Sequence, residues 1–460
     1  MNNMINSIFN KFIPSFIRKK VELNPELRKI IGNINWLVLE RVLRNLLALF
    51  VVAWVARYLG PEQFGLMNYA LSFVALFSAL SIMGLNGITV RNIVSNPENK
   101  EEYLGTTLLL KFFGSLSMLI ISVIGIALIE PDNTSVQLFV LIVALGYIFK
   151  SFDTIDLWFQ SQVQSKYSVF SRSIAFVIIS ILKIGLVITQ APLVAFVLMY
   201  ALDNLLAALL LIYLYHKKVT FSFFEWQVKY DVMKSLLKDS WPLILSGIAV
   251  MLYMKIDQVM IGNMLGDSQL GIYSAAVKLS EAWYFIPMIV SGSVFPAILN
   301  TRKKSRELYL ERLQMLYDSF TLFSIIVAFI TTFIAPFVVH IIYGVEYIEA
   351  AAVLSIHIWA GVFVFLGVAS SKYLVAENLT KISFYRTSIG AITNLILNFL
   401  LIPEYGILGA AIATLISQML SSYVLNALFK KSKIAFIMQS KSFNLFRVWN
   451  DLSKIYERNR

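Results

Sequence analysis

The sequence predicts an all-α membrane protein of about twelve transmembrane helices, arranged as two pseudo-symmetric six-helix bundles around a central cavity. Three observations lead there. Of 460 residues, 58% are hydrophobic and only 14% are charged, against about 25% charged in soluble domains. Apolar runs long enough to cross about 30 Å of hydrocarbon recur from residue 34 to residue 429. A short glycine-bearing motif also returns halfway along the chain.

Residues 1–33 read as a cytoplasmic interfacial segment. Ile5, Phe9, Phe12 and Phe16 recur at helical spacing ahead of Arg18, Lys19 and Lys20, the reverse of a signal peptide's charge-first order. Six spans follow near 34–57, 65–90, 103–129, 136–160, 170–189 and 192–215, giving an N-terminal lobe over 34–215. A cytoplasmic linker, 216–239, leads to spans near 240–263, 270–298, 314–342, 347–376, 382–402 and 406–429, the C-terminal lobe over 240–429. A basic cytoplasmic tail, 430–460, closes the chain.

Lys217, Lys218, Lys229, Lys234 and Lys238, then Arg302, Lys303, Lys304 and Arg306, then Lys430, Lys431 and Lys433 fall on one side of this arrangement. The opposite turns, beginning at Gly60, Glu130, Gly266, Gly344 and Pro403, are short and contain no Lys or Arg. The positive-inside rule puts the basic side and both termini in the cytoplasm, as expected of a multi-pass protein of the cytoplasmic (inner) membrane. Trp158, Trp226, Trp241 and Trp283, near helix ends, read as interfacial anchors.

A shift of 206 positions lays "LGPEQFG" from Leu59 on "LGDSQLG" from Leu265, matching Gly60 with Gly266, Gln63 with Gln269 and Gly65 with Gly271. Each motif joins the first two helices of its half. An even number of helices per half gives both halves one orientation, so their pseudo-two-fold axis runs along the membrane normal.

The net charge of +12 sits in short loops and tails where anionic lipid headgroups attract it, so no nucleic-acid partner is expected. The chain has no cysteine, which excludes disulfides, thiolate metal sites and a cysteine nucleophile. His340 and His357 lack the neighbours that frame a metal site or a catalytic triad, and His216 belongs to a basic loop. Neither an enzyme, a metal nor an organic cofactor is indicated.

Intramembrane charges are the functional clues, because each costs about 2.5–3.5 kcal/mol at the bilayer centre and tends to face a cavity or a partner. Arg41 and Arg44 lie one turn apart in the first span, roughly 10 and 15 Å from its cytoplasmic end at 1.5 Å per residue. Two guanidiniums on one face can fork onto phosphate oxygens; pairing with Glu40 or snorkelling is the structural alternative. Lys183, Lys255 and Lys278 add positive charge at depth, whereas Lys111 is shallow enough to snorkel. Glu281 stands three residues after Lys278, at ion-pair spacing. Asp257 and Asp203 are carboxylates among apolar neighbours, suited to binding a coupling proton or sodium ion, and Asp257 projects from a different face than Lys255. Asp153 and Asp156 read as structural, held by helix-end hydrogen bonds or by Lys150. Trp283 or Tyr284 offers a ring for stacking on a sugar.

Four stretches resemble the polysaccharide flippase family of the multidrug/oligosaccharidyl-lipid/polysaccharide exporter superfamily: "RVLRNLLALFVVAWVARYLGPEQFGLMNYALSF" from Arg41, "DLWFQSQVQSKYSVFSR" from Asp156, "KIDQVMIGNMLGDSQLGIYSAAVKLSE" from Lys255 and "PEYGILGAAIAT" from Pro403. The resemblance implies two six-helix bundles that alternate between inward-open and outward-open states. Its implied cargo is an undecaprenyl-pyrophosphate-linked oligosaccharide, an O-antigen or related repeat unit, with membrane lipids, a polysaccharide polymerase and a chain-length regulator as partners. Under it Arg41, Arg44, Lys183, Lys255 and Lys278 would bind the anionic cargo, and Asp257, Asp203 and Glu281 would serve ion coupling. A cation-coupled multidrug exporter of the same superfamily is the nearest alternative; a membrane glycan polymerase or acyltransferase is the alternative from another class.

Overall fold

The computed structural model describes residues 25–219, 221–302 and 305–448; for residues 25–43 and Pro296 it describes the backbone alone. The interfacial helix expected over residues 1–20 lies outside this range. Among the described residues the regular elements are helical. Among the described residues nine helices are long and apolar enough to cross a membrane, or ten if Arg44–Leu76 and Ser78–Ser95, bent by 50°, count as one broken span. The expectation of twelve treats each side of Gly60 and of Gly406 as a separate span. Both glycines interrupt long helical runs, Pro25–Leu76 and Thr380–Met419, with non-helical backbone.

Gly60 (φ 71°, ψ 171°) and Gly266 (φ 87°, ψ 174°) adopt nearly the same conformation, one that a side chain rarely tolerates. Pro61 follows the first of them and removes a helical N–H donor. The two turns touch. A Cβ added to Gly65 would lie 1.7 Å from the Asp267 carbonyl oxygen, and one added to Gly271 would lie 1.9 Å from that of Pro61. The shift that carries Gly65 onto Gly271 also carries Pro61 onto Asp267, so the contact is reciprocal, as a two-fold relation requires.

Hydrogen bonds continue this seam. Tyr69 donates to Asn263 Oδ1 at 2.9 Å, Ser72 donates to Gln258 Oε1 at 2.6 Å, and the Tyr347 hydroxyl donates to the Ala56 carbonyl at 2.8 Å. Arg57 donates to the carbonyls of His340 and Ile341. One apolar core spans both halves, from Ala53 and Phe64 through Tyr273 and Ile402. At the glycine-turn end, therefore, the halves are sealed.

At the basic end, the segment after Lys218 folds back on the first half. Gln227 N donates to the Glu101 carbonyl at 3.2 Å, Lys229 N donates to Thr106 Oγ1 at 3.1 Å, and Lys229 Nζ pairs with Glu102 at 2.6 Å. Gly105 leaves room for this segment; a Cβ there would fall 2.4 Å from the Gln227 carbonyl. Trp226 donates to the Tyr215 hydroxyl at 2.9 Å, and Trp158 packs edge-on against Phe221 at 5.0 Å, so these two indoles close an aromatic cluster. Arg91 and Asp239 pair at 2.7 Å across the two halves. In the tail, Lys433–Ser442 is a helix packed on the second half through Ala435, Met438, Gln439 and Ser442.

Candidate functional site

Polar side chains on five membrane helices converge between the halves. Lys183, on Lys166–Ile188, extends its ammonium over the Tyr200 ring, 4.0 Å from the centroid. Tyr200 and Asp203 lie on Leu193–Lys218, and the charges of Lys183, Lys150 and Arg44 all act on Asp203. From the second half Lys278, on Asp267–Glu281, approaches the Phe64 ring to 5.8 Å and interacts with Tyr200, Lys255, Glu281 and Lys183. A small cavity lies among these groups, lined by Val55, Phe64, Met67, Lys183, Phe196 and Tyr200.

The Asp267–Arg302 span is interrupted after Glu281 and resumes at Phe285. Broken spans of this kind place polar groups and free backbone beside a cavity. Glu281 stands just before the break and pairs with Lys255 Nζ at 3.8 Å, both half-buried. Spacing alone had offered Lys278 as its partner. The helix pair Tyr230–Leu265 and Asp267–Glu281 instead brings Lys255 within ion-pair range, with Lys278 acting on Glu281 from further away.

Asp257 is 4% exposed, and the charge of Lys255 acts on it. Tyr273 donates to its Oδ2 at 2.5 Å and the Gln258 N–H donates to its Oδ1 at 2.8 Å. Thr414 also acts on the Tyr273 hydroxyl. Asn394 donates to Thr414 at 3.4 Å, Asn398 donates to Asn394 at 3.0 Å, and the buried Asn398 Oδ1 has no hydrogen-bond partner among the described residues. His357 sets Nδ1 2.9 Å from Ser280 Oγ and meets the Tyr273 ring edge-on at 6.2 Å. A carboxylate, a phenol and several amides thus share one polar pocket in the second half. No group of three or more His, Cys, Asp and Glu side chains forms a metal site among the described residues.

The backbone of Arg41 lies on the helix that carries Arg44, but its side chain is outside the described residues. Lys111 does not snorkel: it is 3% exposed and donates to Asn86 Oδ1 at 2.7 Å, in the field of Asp153, Asp156 and Arg172. Asp153 and Asp156 are held by Arg172, at 3.2 and 2.9 Å, rather than by Lys150. This acid-base cluster is internal to the first half. Trp283 packs on Phe323 at 6.4 Å. Tyr200, Tyr273 and the buried Arg386 were absent from the sequence reading; Arg386 alone carried a signal, being a charge six residues inside a membrane helix.

Residues 30–302 match the family described as polysaccharide biosynthesis protein, and residues 242–400 match the MatE family. The capsular polysaccharide biosynthesis protein CapF of Staphylococcus aureus is 21% identical over 403 residues, covering 85% of this chain and 96% of that protein. A putative O-antigen transporter of Shigella dysenteriae is 23% identical over 392 residues, covering 84% and 97%. Among solved structures, lipid II flippase MurJ in an inward closed conformation superposes with a TM-score of 0.70 at 15% identity, over 90% of this chain and 92% of that one. At that identity the likeness is one of fold.

Proposed function

Because this chain belongs to the polysaccharide biosynthesis protein family, we propose that it flips an undecaprenyl-pyrophosphate-linked oligosaccharide, an O-antigen or related repeat unit. Flipping runs from the cytoplasmic to the outer leaflet of the inner membrane by alternating access, with both termini cytoplasmic. The observation that carries this reading is the meeting of Lys183 from one half and Lys278 from the other around Tyr200. Opposing ammonium groups in a low-dielectric gap repel each other, and a polyanion between them relieves that repulsion. A diphosphate headgroup supplies the anion, Arg44 and Lys255 extend the positive path, and the polyprenyl tail stays in the bilayer. In proteoliposomes, the purified chain should move a labelled lipid-linked oligosaccharide between leaflets faster than protein-free vesicles do; equal rates would refute the reading.

Ion coupling fits Asp257. A proton or sodium ion there would replace the Tyr273 hydrogen as the carboxylate's partner, and the pocket of Thr414, Asn394 and Asn398 offers further oxygens. Asp257→Asn is expected to cut gradient-driven flipping about tenfold, the usual scale of a coupling free energy, while binding of the cargo changes less than twofold. Flipping indifferent to this change and to collapse of both gradients would remove the coupling.

The MatE match over 242–400 favours, as a second reading, a cation-coupled multidrug exporter. The cavity lysines oppose it, since a cation-coupled exporter calls for acidic rather than basic groups in its cavity. Efflux of a fluorescent cation by the same vesicles separates the two.

A further inference from the structure

A chain of hydrogen bonds, passing through Ser421, runs from the tail helix Lys433–Ser442 to Tyr253 on the helix that carries Lys255. Gln439 is fully buried, and its whole amide is engaged. Its Nε2 donates to Ser370 Oγ and to the Ser422 carbonyl, each at 2.8 Å, and its Oε1 accepts from Asn426 Nδ2 at 2.9 Å. Asn426 Oδ1 accepts from Arg386 Nη1 at 2.9 Å, and Arg386 Nε donates to the Ser421 carbonyl at 2.7 Å. The Ser421 hydroxyl lies 3.2 Å from that of Tyr253, two residues before Lys255.

Local chain geometry explains why these partners are available. Leu420–Val424 is a π-helical turn, and widening a turn releases carbonyls from the regular ladder for side chains to take up. Two glycines make space for the bulge: a Cβ at Gly367 would come 2.5 Å from Ser422 Oγ, and one at Gly390 would come 2.7 Å from Ser421 Cβ. Arg386 is 5% exposed, and none of the carboxylates among the described residues is paired with it. A buried guanidinium without a counter-charge depends on neutral acceptors held in place. Gln439 holds one of them, Asn426.

We infer that Gln439 is a positioning residue for the transport site: the tail helix fixes Asn426 and Arg386, these fix the π-turn, and the π-turn fixes Tyr253 and hence Lys255. This role rests on the flippase reading for its effect on cargo, but the placement of Lys255 can be read without cargo.

The cysteine-free chain allows a direct test. Lys255→Cys supplies one thiol, whose maleimide labelling rate is measured in detergent with no substrate present. Adding Gln439→Met, which keeps the length of the side chain and removes its amide, is expected to change that rate at least threefold. Asn426→Ser breaks the next link and reports the same change if Gln439→Met does not accumulate. With Lys255 intact, Gln439→Met should raise the apparent KM for a lipid-linked oligosaccharide about fivefold, the scale of one lost hydrogen bond, at unchanged membrane abundance. Labelling rates equal to the parent in Gln439→Met, or in Asn426→Ser where that variant stands in, overturn the inference even in a protein that flips its cargo. The expected labelling change in a chain that flips nothing upholds the positioning and retires the flippase reading instead.

Discussion

Lys183→Ala, present in the membrane at the wild-type level, lowers the initial rate of lipid-linked oligosaccharide flipping about 10- to 100-fold at subsaturating cargo. The magnitude follows from one contact to a charged group, worth about 1.5–3 kcal/mol, with about 1.4 kcal/mol per factor of ten. Its surroundings make that scale appropriate, because the ammonium sits over Tyr200 in a cavity walled by Val55, Phe64, Met67 and Phe196, where little water can stand in for it. Lys183→Arg keeps the charge and should retain a third or more of the rate. An alanine variant within twofold of wild type in a vesicle assay would take Lys183 out of the cargo path.

The second large effect concerns the seal. Gly65→Ala combined with Gly271→Ala places a methyl against backbone on both sides of the reciprocal contact, where neither neighbour can swing aside. Overpacking of this kind costs about 1–3 kcal/mol per site, so the sealed state should lose at least about 30-fold in population. Flipping should fall by a similar factor, since a cycle of alternating access needs that end to close. Nitroxides at Gln63→Cys and Gln269→Cys, the positions the repeat makes equivalent, should report a longer and broader distance in the double alanine variant. An unchanged distance distribution would mean that the glycines do not set the closure.

Much of this was legible in the sequence because a bilayer imposes a simple code. Apolar length marks spans, a lone charge inside one stands out, and Gly60 and Gly266 identify themselves by their matching surroundings. Lys183, Lys255, Lys278 and Asp257 were visible on that basis. Partner choice was not, since Glu281 answers to Lys255 across a helix pair rather than to Lys278 along its own helix. Tyr200 and Tyr273 were hidden for another reason: an aromatic ring in a membrane helix reads as filler or anchor until its hydroxyl finds a charge. Lys111 escaped because its shelter, Asn86, lies on a different helix. The tail helix escaped because only Ala435 and Met438 of its four buried residues are apolar, the other two being Gln439 and Ser442.

The irregular segment that ends at Lys229 has a use beyond joining the halves. Through Gln227 and Lys229 it grips Glu101, Glu102 and Thr106, so it belongs by contact to the first half and by sequence to the second. A gene divided after Lys218 would make two polypeptides, the later of which still carries the piece that clasps the earlier. Co-expressed, they should co-purify and complement one another, whereas a division after Lys229 leaves the second fragment without its clasp and should recover far less of the pair.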